Sequence, residues 1–108
     1  MATILEDLND REVQTRTRIV ELARSFHTLR RADGLEPWNA DKFARWAGFN
    51  VSDYSRQAAA FVLMVWNRHH PWKFGKFLAR FDLAEALLIW DQDMRAAWQD
   101  WAADPWFA

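Results

Sequence analysis

From Ala58 to Trp66 the chain is apolar at all nine positions. A helix built on such a run is hydrophobic all round, so other parts of the chain must cover every side of it. Nine residues fall far short of the roughly 20 that cross a membrane, and no membrane partner is expected. The run reads as the second half of a central core helix over about 51–68, with Tyr54, Ala58, Phe61 and Val65 as its inward stripe.

The flanking segments carry the period of amphipathic helices, and none alternates with period two over a strand's length. A first helix is expected from Thr3, where Thr3-x-x-Glu6 and then Asn9-x-x-Glu12 form capping boxes. Ile19, Val20, Ala23, Phe26 and Leu29 make its buried stripe, Arg11, Arg16, Arg18, Arg24, Arg30 and Arg31 mark its outer face, and Gly34 supplies a left-handed stop. Leu35-Glu36-Pro37-Trp38 reads as a linker, because Pro37 drives the residue before it out of helical geometry. Asn39 caps a short helix from Ala40 to Ala47, Gly48 closes it, and Asn50 caps the central helix. After the break at His69-His70-Pro71, residues 72–81 read as a short basic helix or irregular turn. Asp82-x-x-Glu85 opens a last helix from Leu83 to about Ala103, with Leu83, Leu87, Trp90, Met94, Ala97 and Trp101 on its buried side. Trp106-Phe107, beyond Asp104-Pro105, folds back as an apolar plug. The fold class is all-α: a single-domain bundle of about five helices over 1–108.

Composition narrows function by exclusion. With no Cys, thiolate zinc sites and disulfide frameworks are impossible; 51% hydrophobic and 27% charged residues rule out a disordered chain. The first residues turn acidic at once, unlike a signal peptide, so a cytoplasmic protein is expected. Eight Trp and eight Phe point to a core of few, large, closely fitted side chains.

Catalytic chemistry finds little footing. No Ser lies in a Gly-x-Ser-x-Gly turn, and Gly34, Gly48 and Gly75 are isolated, so no Gly-rich loop cradles a phosphate. Asp91 and Asp93 stand roughly 200° apart on a helix and do not face one site. His69 and His70 diverge as neighbours, and neither they nor His27 has a carboxylate at ligand spacing. A non-catalytic protein without metal or cofactor is expected.

The charge is uneven. Residues 38–81 carry Lys42, Arg45, Arg56, Arg68, Lys73, Lys76 and Arg80 against Asp41 and Asp53; residues 82–108 carry Arg95 against Asp82, Glu85, Asp91, Asp93, Asp100 and Asp104. A chain of net charge -1 is thus bipolar, with a basic middle suited to an anionic partner.

Within that basic middle, Phe43-Ala44-Arg45-Trp46-Ala47-Gly48-Phe49-Asn50-Val51-Ser52-Asp53-Tyr54-Ser55-Arg56 forms a small-residue crossing, a glycine corner, a plug at Phe49 and a capped second helix. The segment resembles the helix-turn-helix of lactose-repressor-like regulators, with Tyr54 where that family has Val and a much longer apolar continuation. The resemblance implies a regulator of double-stranded DNA, in which Val51, Ser52, Ser55 and Arg56 reach base edges in the major groove. Lys42, Arg45, Lys73 and Lys76 would contact phosphates.

A second reading starts from aromatics outside helical core spacing. Trp38, Trp72, Trp106 and Phe107 lie in turns or at the end of the sequence, and Trp is a favoured interface anchor, so they suit an adaptor, inhibitor or subunit that binds a protein. Either reading accommodates a homodimer.

Overall fold

The central helix, α3, spans Asp53–Asn67 in the computed structural model, which describes residues 2–49 and 51–108, with side chains from Asp10 onward. Its covering elements are α1 (Ala2–Ser25), a 3-10 turn (His27–Leu29), α2 (Ala40–Ala47) and α4 (Leu83–Ile89). A two-stranded antiparallel ribbon, β1 (Lys73–Phe74) and β2 (Phe77–Leu78), lies between α3 and α4, and α5 (Gln92–Ala103) follows α4. The described residues thus form a mostly helical small protein with five α-helices.

Every residue from Ala58 to Val65 except Met64 is buried. Three consecutive alanines, 58–60, let neighbouring helices approach closely, and the next residue, Phe61, becomes the aromatic hub. Its ring meets Phe26 at 5.8 Å, Phe81 at 5.2 Å and Trp101 edge-on at 5.0 Å. Tilted and edge-to-face pairs of this kind add to the burial of large apolar area. Tyr54, expected on the inward stripe, is 43% exposed, while Ser55 beside it is the buried residue of the first turn.

The first helix is shorter than its periodicity suggests. It ends at Ser25, and Phe26 adopts an extended backbone (φ −88°, ψ 111°) before the 3-10 turn, which still buries Phe26 and Leu29. Gly34 is left-handed (φ +84°) but stops no helix directly: a Cβ there would lie 2.5 Å from the Asn39 carbonyl oxygen and 2.7 Å from the Phe43 nitrogen. It lets residues 34–39 fold tightly onto the start of α2. That fold carries Trp38 into the core, against Phe43 at 5.4 Å and Trp66 at 5.5 Å. Trp38 is therefore a core residue and no surface anchor. The caps proposed at Thr3, Asn9 and Asn50 lie outside the described side chains; the backbone of α1 runs through Asn9 without a restart.

The expected single last helix is two. Trp90 turns extended (φ −71°, ψ 140°) to bury its indole, whose Nε1 donates to the Tyr54 carbonyl at 3.0 Å while the ring packs against Phe26 and Phe81. Asp91 then caps α5 by accepting from the Met94 N–H at 2.8 Å, as Asp82 caps α4 from Glu85. The break leaves Leu83 exposed and Leu87 half-buried, while Met94 and Ala97 hold the core side of α5. Residues 104–108 fold back onto the body: Trp101 Nε1 donates to the Trp106 carbonyl, and the Ala108 N–H donates to Val65.

Candidate functional site

The α2–α3 corner is where the predicted charged residues gather. Asn39 caps α2 by accepting from the Lys42 N–H at 3.0 Å, which orients the helix so that Phe43, Ala44 and Ala47 face the core and Lys42 and Arg45 face out. Gly48 ends α2 in right-handed geometry (φ −81°), not the left-handed turn its place in the motif suggests. It is needed for room: a Cβ at Gly48 would come within 2.9 Å of the Gly75 nitrogen and 3.3 Å of the Phe74 carbonyl carbon. The ribbon is thus seated directly on the corner. Its own turn is Gly75-Lys76, with Gly75 at φ +64°, as a two-residue hairpin loop requires at its first central position.

Beside the ribbon is a groove of about 500 Å³ lined by Gly48, Asp53, Arg56 and Gln57, by Lys76, Phe77 and Arg80 of the ribbon segment, and by Glu85 of α4. On the other side of Gly48, Lys42, Arg45 and Phe49 share a shallower depression. Phe49, expected to plug the corner, is instead 69% exposed, while the ribbon packs beside Gly48. Phe77 is 78% exposed. Four of the predicted cationic positions, Lys42, Arg45, Arg56 and Lys76, therefore surround one corner; Lys73 is also exposed on the ribbon, paired across it with Leu78.

The base-reading set does not assemble as the resemblance implies. Helix α3 begins at Asp53, not Val51, and its cap is Ser52. Ser55 is buried, its hydroxyl accepting from Ser52 at 2.9 Å, and Ser52 accepts in turn from the Ser55 N–H. Both hydroxyls are committed to starting the helix. Val51 and Ser52 are half-buried, and Arg56 donates to Asp53 at 3.2 Å. With α2 ending at Ala47 and α3 starting at Asp53, the second helix begins two residues later than the motif spacing suggests.

The other aromatics also depart from expectation. Trp72 is half-buried, donating its indole N–H to the Asn67 carbonyl at 3.1 Å and packing against His70. Trp106 lies half-buried beneath the Arg18 guanidinium at 4.1 Å. Phe107 meets Trp101 edge-on and remains 46% exposed. Among the described residues, the large apolar side chains most open to solvent are instead Leu88, Phe77 and Phe49. Only the ribbon carried a usable sequence signal, Gly75-Lys76 flanked by Phe74 and Phe77, which is too short for a period-two pattern.

Elsewhere, His27 Nε2 lies 2.6 Å from Asp91 Oδ2, joining the 3-10 turn to the start of α5. The Met94 N–H foremost, and then His27, hold the Asp91 carboxyl below its ordinary value. Among the described residues no three His, Asp or Glu converge as a metal site, and no helix is long and apolar enough to cross a membrane. Compared with known protein families, curated proteins and solved structures, the chain matches none.

Proposed function

We propose that this protein is a non-catalytic protein-interaction module and that it docks its partner at the α2–α3 corner. The observation that carries this reading is the pair Phe49 and Phe77, large aromatics exposed on either side of the corner among Lys42, Arg45, Lys76 and Arg80. Aromatic and arginine side chains around a concave site are the usual anchors of protein interfaces, and here they take the place of Trp38, which is in the core, and of the half-buried Trp72 and Trp106.

Double-stranded DNA is the competing partner, favoured by one observation: Lys42, Arg45, Lys73 and Lys76 all remain exposed near the corner. Against base reading stand the buried Ser55, the capping Ser52 and the Asp53–Arg56 pair. Displayed peptide libraries selected on the wild-type protein and counter-selected on Phe49→Ala/Phe77→Ser test the reading. Peptides that need both rings support it; libraries without such clones, from a chain that also does not self-associate, overturn it. A gel shift with mixed duplex DNA that weakens steeply with salt would move the function to nucleic acid.

A further inference from the structure

Two segments that line the groove differ in sign: residues 73–80 carry Lys73, Lys76 and Arg80 and no carboxylate, α4 with its cap carries Asp82 and Glu85 and no cation, and the Asp53–Arg56 pair lines the groove with them. On the ribbon side Lys76 and Arg80 accompany exposed Phe77 and Leu78. On the other side α4 presents Glu85 and, one turn along the same helix face, Leu88 at 85% exposure, the most open large apolar residue described. No ion pair within the chain joins the two sides among the described residues: Arg56 pairs with Asp53, and Glu85 accepts only a long hydrogen bond from Gln57 at 3.4 Å. Cationic and anionic halves thus lie side by side, each with its own uncovered apolar residue.

A partner of one charge sign would fit one half of this face and be repelled by the other, because like charges brought together at an interface cost several kcal/mol. A second copy turned through a twofold axis meets both halves with their opposites. Its α4 lies over the ribbon and its ribbon over α4, the reciprocal matching that isologous dimers require. Such a copy would also cover β2, whose two residues, Phe77 and Leu78, are both exposed on a short ribbon that is open to pairing with another chain.

We infer that the partner docked at this corner is a second copy of this chain, the ribbon of each protomer packing on α4 of the other with Arg80 opposite Glu85. The inference rests on the protein-interaction reading above and names its partner. Sedimentation velocity over a concentration series up to about 100 µM, a range that detects dissociation constants in the micromolar region, is expected to give twice the 12.8 kDa chain mass. Arg80→Glu and Glu85→Arg should each weaken association about tenfold or more by placing like charges opposite one another, and the double swap R80E/E85R should restore it. Phe77→Ser, at an exposed position where folding is not at risk, should also dissociate the dimer.

A wild-type chain that stays monomeric overturns the inference, and so does a dimer indifferent to all these variants. Dissociation by the single charge reversals without rescue by the swap overturns the Arg80–Glu85 pairing. If the chain is monomeric yet peptides dependent on Phe49 and Phe77 are recovered, the docking face stands and only its occupant is wrong. Monomer with no such peptides removes both.

Discussion

Phe61 and Phe77 are the same residue type sixteen positions apart, and they play opposite parts. Phe61 is completely buried among three aromatic rings, whereas Phe77 stands 78% exposed on a two-residue strand. The core around α3 is covered from all sides; at the α2–α3 corner a small ribbon packs on α2 beside Gly48 with Phe74 half-buried, and leaves Phe77 outside. Core positions should therefore be costly to change and silent in binding, and corner positions the reverse.

The largest expected effect tests the core half of that contrast. Phe61→Ala should cost about 3 to 5 kcal/mol, readable as a large drop in Tm. A melting curve like the wild type's would mean that the aromatic hub does not organise the fold.

Next comes the seam between the regions. Gly48→Ala forces a methyl group to 2.9 Å from the Gly75 nitrogen, so the ribbon must shift. The cost should be about 1 to 3 kcal/mol if the shift is resisted, as for other overpacked sites. Hydrogen exchange should place the loss of protection in residues 72–81 rather than in α3, and loss spread evenly across the protein would erase the distinction between seam and core.

Asp91 offers a smaller and pH-dependent effect. Removing its cap with Asp91→Ala should destabilise by about 1 kcal/mol, whereas Asp91→Asn keeps an acceptor and should cost less. Because the folded-state pKa lies below the ordinary value of 3.8, the carboxylate's contribution is present above that value. It is lost as pH falls through the lower folded value. Denaturant titrations from neutral pH downward should show the gap between wild type and Asp91→Ala closing in that acid range; a gap independent of pH would show that the charge of Asp91 plays no part.

The smallest expected stability change belongs to the corner. Phe77→Ser should alter the unfolding free energy of the chain by no more than about 0.5 kcal/mol, the usual range for exposed positions, while abolishing association. Arg56→Ala should be equally quiet, since its pair with Asp53 is exposed and such pairs contribute little. A marked loss of specific DNA binding in Arg56→Ala would instead restore the base-reading role.

Much of the helical plan was legible because it rests on local signals. Asn39, Asp82 and the two helix starts they cap follow from short side chains that accept from backbone N–H groups three residues on. The break at Trp90 was hidden in an unbroken apolar period, although Asp91 three residues before Met94 is a cap in the same style. Periodicity cannot rank a helix's continuation against the burial of one indole. The site was less legible still: four cationic residues were found at the corner, but Phe49, Phe77 and Leu88 were not singled out as surface.

By itself the sequence determined that the chain is mostly helical and that its centre lies at Ala58–Val65, because a helix apolar all round has to be enclosed. Only the tertiary structure decided which aromatics are enclosed. Trp38 went in because Gly34 folds its loop onto α2, and Phe49 stayed out while the ribbon packed beside Gly48. Burial is settled by competition among segments distant in sequence for the same space, which no local pattern records.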